Sequence, residues 1–238
     1  MGDLVNNARL AGRVDWEMIT DRGRETVTPP HWKDPAALVE SAARVFAIDK
    51  WADQPNHIEV MVEKQALEGV LIPVCRSLDI RFTANKGYSS SSTMYEIGKR
   101  LARYAGEDKT TWIFYLGDHD PSGIDMTRDV RERLCQFSDV EILVNRLALN
   151  FDQVQAWHPP ENPAKETDSR YKSYIVQFGA SSWELDAIEP RTLASIVTKA
   201  VEDLRDQDLW DEAVEREQVM QTELQAFVKS YQNKNRKK

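Results

Sequence analysis

The sequence predicts an α/β fold in which a parallel sheet of about four strands is flanked by helices. Strand-length apolar segments alternate with segments whose apolar residues recur at helical spacing, and this alternation indicates β-α-β units. One segment, "TWIFYL", is apolar and aromatic almost throughout, which is typical of a strand buried on both faces of a parallel sheet. The four predicted strands are "HIEVMV", "IRFTA", "TWIFYL" and "VEILVNRLAL".

Helices between these strands are indicated by apolar spacing and by breaker residues. After the alternating Ile58, Val60 and Val62 of the first strand, the pattern turns helical from about Lys64. The segment "TMYEIGKRLARYAG" predicts a second helix that stops at its final glycine. The turn "DPSG" then leads from the third strand into a third helix.

The predicted elements divide the chain into three regions. Residues 1–56 are an N-terminal segment with one helix after Asp34, and residues 57–150 are the α/β core. Residues 151–238 are an extension that begins with a proline-rich stretch, "WHPPENPAKETDSRYKSY", which predicts a loop that is mobile or orders on contact. A helix starting at Pro190 and a charged amphipathic helix with a basic tail complete this extension.

Composition argues against a membrane protein and against a disulfide scaffold. The chain has 238 residues, and its apolar runs are far shorter than the roughly 20 residues of a membrane helix. Its amino terminus lacks the pattern of a signal peptide, so we expect a cytoplasmic protein. Cys75 and Cys135 form no CxxC pair. The net charge of −8 disfavours binding of nucleic acid through overall charge, but it is compatible with a local basic groove.

Acidic residues follow two of the predicted strands. Glu63 ends the first strand, and Asp118 and Asp120 follow the third in "GDHDPSG". If these strands are neighbours, the three acids converge at the carboxyl edge of the sheet, where ligands of α/β proteins bind. Carboxylates in that number suit Mg²⁺ or Mn²⁺ rather than zinc. The alternative is that each acid is a helix cap or a solvated loop residue.

Other polar residues are candidates for extending this site. Glu184 and Asp186 lie two apart before the Pro190 helix and could complete or extend the metal site, or form a solvated face. His119 could transfer a proton, although alternation in an extended segment favours a side chain that points away from the metal. Candidate contacts to nucleic acid come from the loop "NKGYSSSS" and the proline-rich stretch: Lys86, Tyr88, Ser89, Ser90, Lys165, Arg170 and Lys172. For the serines, a helix N-cap is the alternative.

The order "VEKQAL", "NKGYSSSS", "GDHDPSG" resembles the Toprim domain, a metal-binding module of topoisomerases, bacterial primases and overcoming-lysogenization-defect nucleases. The resemblance covers residues 58 to about 150 and is closest to the type IIB topoisomerase A subunit and its double-strand-break relatives. It implies a Rossmann-like fold in which Glu63, Asp118 and Asp120 hold magnesium beside a nucleic-acid phosphate.

One departure from that family concerns the nucleophile. In the topoisomerase A subunits, a winged-helix domain before Toprim carries the tyrosine that attacks DNA. Here residues 1–56 resemble at most a remnant of such a domain, and no tyrosine precedes Tyr88. We therefore expect cleavage by water, with Tyr88 in a stacking or packing role.

These observations together predict a magnesium-dependent nuclease acting on DNA, with Glu63, Asp118 and Asp120 as metal ligands and Lys86 supporting the phosphate. Two alternatives remain open. The chain could be a topoisomerase-like interaction subunit that needs a protein partner or a second copy of itself for cleavage or strand passage. It could also be a non-catalytic, metal-containing DNA-binding protein.

Overall fold

The computed structural model describes residues 2–15, 29–85 and 90–236, and it divides the chain into two compact units. The larger unit comprises Ala47–Thr222, and the smaller unit comprises Met1–Phe46 and Glu223–Lys238. Within the described residues, no helix is both long and apolar enough to cross a membrane.

Helices and strands alternate along most of the larger unit. The strands are β1 (Asn56–Val62), β2 (Arg81–Ala84), β3 (Thr110–Leu116), β4 (Leu143–Ala148), β5 (Asn162–Pro163) and β6 (Ser181–Ser182). The helices are α1 (Gly2–Leu10), α2 (Pro35–Val45), α3 (Glu68–Ser77), α4 (Ser91–Ala105), α5 (Pro121–Ser138), α6 (Phe151–Trp157), α7 (Tyr171–Phe178), α8 (Pro190–Glu202) and α9 (Gln207–Arg236). Short 3₁₀ turns occupy Gln65–Leu67 and Leu185–Ala187.

The central sheet has four parallel strands in the order β2-β1-β3-β4. The prediction of an α/β fold with a parallel sheet of about four strands is therefore confirmed. The order makes β1 and β3 neighbours, and their register pairs Val62 with Leu116, so both strands end at the same level. Residues that follow these two positions are brought to one edge of the sheet.

Each face of the sheet is covered by a separate apolar cluster. On one face, Val60 and Phe114 pack with Leu71 of α3 and with Val197 of α8. On the other face, Met61 packs with residues of α4 and α5. Since α8 contributes to the first cluster, part of the region after residue 151 shares the core of the sheet.

Local sequence signals set several helix starts. The side chain of Asp34 accepts a hydrogen bond from the backbone N–H of Ala37 at 2.8 Å and caps α2. Ser90 caps α4 in the same way through Thr93, at 3.1 Å. Proline occupies the first turn of α2, α5 and α8, where its fixed φ suits a helix and no N–H is needed.

The proline-rich stretch differs from the predicted loop. Only its last four residues, 171–174, belong to α7, and Asn162–Pro163 form the short antiparallel pair β5–β6 with Ser181–Ser182. The N–H of Ala164, which is buried, donates to the carbonyl oxygen of Ala180 at 2.8 Å. This pairing could not be predicted from the sequence because the prolines interrupt apolar periodicity and because β6 lies about twenty residues later in the chain.

Candidate metal centre

The carboxyl edge of the sheet brings Glu63 and Asp118 into contact. Glu63 directly follows β1, and its N–H donates to the carbonyl oxygen of Leu116 at 2.9 Å. The N–H of Asp118 in turn donates to Oε2 of Glu63 at 3.0 Å. The two acids therefore lie at the ends of adjacent strands, as the sequence predicts if these strands are neighbours.

Glu63 lies in a crowded, partly buried position beside other acids. Burial raises the pKa of Glu63 to about 7, and the nearby charge of Asp118 adds to the rise, while the hydrogen bond from the Asp118 N–H opposes it. A Cβ atom at Gly117 would lie 2.7 Å from Oε2 of Glu63, so a larger residue there would displace the Glu63 carboxylate. At neutral pH the site thus carries more negative charge than its own cations offset.

The two carboxylate oxygens of Asp118 have different surroundings. Oδ1 accepts a hydrogen bond from the backbone N–H of Leu185 at 2.7 Å, and Oδ2 lies 3.3 Å from Nζ of Lys64. Burial raises the pKa of Asp118, and the Leu185 and Lys64 contacts counteract that rise. The residue is buried, so its carboxylate is held in one orientation.

Asp120 is both a helix cap and a neighbour of the other acids. Its Oδ1 accepts a hydrogen bond from the N–H of Gly123 at 2.6 Å at the start of α5. A Cβ atom at Gly123 would approach the carbonyl oxygen of Asp118 to 2.3 Å, so this turn requires glycine. The capping role and the site role considered from the sequence are compatible, because the cap uses one carboxylate oxygen.

Lys64, Glu184 and Asp186 form the outer part of the site. Nζ of Lys64 lies 2.9 Å from Oε2 of Glu184 and 3.0 Å from Oδ1 of Asp186, in addition to its contact with Asp118. Burial acts to lower the pKa of Lys64, but these hydrogen bonds outweigh it and raise the pKa. Glu184 and Asp186 are connected to Asp118 through Lys64, whose ammonium group all three acids contact.

Arg146 lies beneath the acids and was not predicted. Its guanidinium donates to the carbonyl oxygens of Gly117 at 2.9 Å, Gly123 at 2.9 Å and Leu149 at 3.2 Å. Its charge counteracts the rise in the pKa of Glu63. A signal was present in the sequence, since an arginine inside the apolar strand "EILVNRLAL" needs polar partners at that edge.

His119 lies in an aromatic cluster rather than among the carboxylates. Its Nδ1 is 2.8 Å from the hydroxyl of Tyr174, and the rings of Phe151, Phe178 and Trp183 surround it. Burial, with help from the charge of Arg146, lowers the pKa of His119 to about 4. The ring is therefore neutral at physiological pH and packs as a core side chain.

The predicted nucleic-acid contacts have different outcomes. Lys165 lines a cavity of about 320 Å³ together with Asp118 and Asp120. Arg170 is engaged by acids, with Nε 2.7 Å from Oδ2 of Asp125, and Lys172 is exposed on α7. Ser90 is the exposed N-cap of α4. Three further candidates lie outside the described residues: Lys86, Tyr88 and Ser89.

The donor chemistry fits a hard divalent cation better than any soft metal. Across residues 2–15, 29–85 and 90–236, no three histidine, cysteine, aspartate or glutamate side chains are grouped closely enough to hold a metal ion as they stand. The acidic side chains at the edge nevertheless offer carboxylate oxygens, and Oδ2 of Asp118 faces the ammonium group of Lys64. Carboxylate oxygens are ligands that Mg²⁺ and Mn²⁺ prefer over soft donors, whereas the Lys64 ammonium group opposes binding of a cation at Asp118.

Comparisons with protein-family models, with curated proteins and with solved structures found no match. The resemblance to the Toprim domain therefore depends on the motifs of the sequence. The arrangement of Glu63, Asp118, Lys64 and Arg146 is the basis for a functional proposal.

Proposed function

We propose that this chain carries out divalent-metal-dependent phosphodiester chemistry on nucleic acid, most directly endonucleolytic cleavage of DNA. The observation that carries the proposal is the convergence of Glu63 and Asp118 at the ends of adjacent strands, with Asp120 two residues further on. Acids crowded at such an edge repel one another, and a divalent cation removes that repulsion.

In this proposal, Glu63, Asp118 and Asp120 hold Mg²⁺ or Mn²⁺. When bound, the cation neutralises and orients the scissile phosphate. Lys165, on the cavity that Asp118 and Asp120 line, is placed to meet a phosphate, and Lys86 is expected to do the same.

The remaining parts of the proposal concern location and partners. We infer that the chain acts in the cytoplasm on DNA, because its composition is that of a charged globular protein. A protein partner would supply any strand passage that needs nucleotide hydrolysis, since this sequence contains no GxxxxGK[ST] motif.

A second candidate function is a non-catalytic interaction subunit. The observation that favours it is the set of ion pairs made by Lys64, which offset part of the negative charge of Asp118, Glu184 and Asp186 without any metal. In that case the carboxyl edge would be a structural ion-pair network, and binding of DNA or of a partner would not depend on Mg²⁺.

Cleavage of supercoiled plasmid by the purified full chain tests the proposal. With Mg²⁺ or Mn²⁺ we expect products with free 5′ and 3′ ends. Asp118→Asn should lower the rate by about a hundredfold or more, because a lost ligand removes both charge and positioning. Asp203→Asn is the matched control, since Asp203 is an exposed carboxylate paired with Lys199 on the same helix surface.

Two results would contradict hydrolysis by a metal-held site. A protein-linked DNA end that disappears in Tyr88→Phe would indicate tyrosine chemistry. A wild-type chain that is inert toward several DNA forms with both metals, and that binds neither metal in a calorimetric titration, would favour the interaction subunit.

A further inference from the structure

The ammonium group of Lys64 lies among three carboxylates at the carboxyl edge. It is 2.9 Å from Glu184, 3.0 Å from Asp186 and 3.3 Å from Asp118, so the contact with Asp118 is the longest. The Lys64 side chain is 23% exposed, whereas those of Glu184 and Asp186 are 54% and 40% exposed. The ammonium group therefore bridges a buried acid and a more exposed acidic pair.

The two oxygens of Asp118 differ in the partners that they already have. Oδ1 is fixed by the N–H of Leu185 at 2.7 Å, and Oδ2 is the atom that faces Lys64. A cation that binds Asp118 through Oδ2 would approach the oxygen that already faces Lys64. It would then lie close to a positive charge that repels it.

We propose that Lys64 and the divalent metal compete for Oδ2 of Asp118, and that Glu184 and Asp186 retain Lys64 when the metal is bound. This inference rests on the proposed function. It gives the acidic pair a role other than metal ligation: the pair receives the displaced ammonium group. Lys64 is then a regulatory counter-ion that lowers metal affinity and supports the acids in the metal-free protein.

The geometry favours displacement toward the acidic pair over withdrawal into solvent. Lys64 is the second residue after β1, whose end is fixed by the hydrogen bond from the Glu63 N–H to the carbonyl oxygen of Leu116. Its Nζ already makes its two shortest contacts with Glu184 and Asp186. Lengthening the 3.3 Å contact to Asp118 breaks the weakest of the three interactions and keeps the other two.

Isothermal titration of the full chain with MgCl₂ and MnCl₂ tests this competition. Lys64→Met should bind either metal about tenfold more tightly than the wild type, because a neighbouring positive charge is removed. Lys199→Met is the charge-matched control: Lys199 is an exposed lysine that pairs with Asp203 and lies outside the Lys64 ion-pair cluster. It should change the affinity by less than about threefold.

A double substitution separates retention of Lys64 from metal ligation. In the wild-type background, Glu184→Gln with Asp186→Asn should weaken metal binding, because Lys64 then contacts Asp118 alone. In the Lys64→Met background, the same pair of changes should have a much smaller effect. If the pair ligates metal, the loss would be as large in both backgrounds, and the inference would be wrong.

Thermal unfolding gives an independent measurement. Without metal, Lys64→Met should unfold at a lower temperature than the wild type, and saturating MgCl₂ should stabilise it more than it stabilises the wild type. Equal metal affinity of the two proteins would overturn the inference while leaving the proposed function intact. Binding by Lys64→Met alone would support the inference. Absence of binding by every variant would overturn both.

Discussion

Two glutamates four residues apart on one stretch of chain have opposite electrostatic surroundings. Glu59, inside β1, accepts hydrogen bonds from Nε and Nη2 of Arg100 at 2.8 and 2.7 Å, and Oε1 is 3.0 Å from His57. Burial acts to raise the pKa of Glu59, but these partners outweigh it and lower the pKa. Glu63, at the carboxyl end of the strand, has acids as neighbours, and its pKa is about 7.

The difference separates a structural carboxylate from one that is suited to bind a cation. Glu59 is 2% exposed and its charge is fully paired within the protein, so nothing further is needed. Glu63 shares its edge with Asp118, and burial together with the charge of Asp118 raises its pKa. Burial alone therefore does not identify a functional carboxylate, whereas burial combined with nearby like charge does.

The largest expected effect comes from removing the counter-ion of Glu59, the paired glutamate. Arg100→Met leaves the buried Glu59 without its main counter-ion, so the free energy of unfolding should fall by about 3–5 kcal/mol. Urea denaturation measures this change. Lys199→Met, which removes an exposed ion pair with Asp203, should have little effect. A loss in Arg100→Met no larger than in this control would show that Glu59 is not held as a buried ion.

Replacing Glu63, the glutamate that lies beside other acids, is expected to change the free energy of unfolding by on the order of 2 kcal/mol, and this change depends on pH. The pKa of Glu63 rises from 4.5 to about 7 on folding. Its ionisation therefore does not lower the free energy of unfolding below pH 4.5 and has its full destabilising effect above about pH 7. Glu63→Gln should therefore be more stable than wild type at pH 7.5 without metal, and similar at pH 4.5.

The titration of His119 also changes stability with pH, so Glu63→Gln has to be compared with the wild type at each pH. Its pKa falls from 6.5 to about 4 on folding, so its contribution to stability increases as pH rises through that range, opposite to Glu63. The two contributions offset each other in the wild type between about pH 4.5 and 6.5. The free energy of unfolding, measured at several pH values, should rise more steeply with pH in Glu63→Gln than in the wild type. The same pH dependence in both proteins would contradict the raised pKa.

Much of the edge could be predicted because it depends on local patterns. The apolar run before Asp118 and the alternation before Glu63 each mark a strand, and acids after parallel strands share one edge. The structure adds that β1 and β3 are neighbours, on which the convergence depended. Strand order is a tertiary property, since it is set by how helices cover both faces of the sheet.

Lys64 could not have been assigned from sequence in the same way. Its partners Glu184 and Asp186 lie 120 and 122 residues further along the chain. They reach the edge because the segment before α8 packs on the core through Leu185, which is fully buried. No local pattern in "VEKQAL" encodes that return of the chain.

The smallest expected effect is on DNA affinity. It compares Lys165 with Arg170, whose charge is paired with acids. Lys165→Ala should lower DNA affinity a few-fold and reduce the slope of log affinity against log salt by about one. Arg170→Ala should change both less, because its guanidinium is held by Asp125 and Asp168. Fluorescence anisotropy at several salt concentrations measures this, and equal effects would show that Arg170 also contacts DNA.

The hydrogen bonds of Arg146 have a consequence for the cost of binding. One guanidinium joins the end of β3 at Gly117, the first turn of α5 at Gly123 and the segment after β4 at Leu149. These three segments carry or flank Asp118 and Asp120, and their carbonyl groups cannot move apart without losing bonds to the same side chain. The edge is thus preorganised, so a cation that arrives there finds the backbone already ordered and binding loses little conformational entropy.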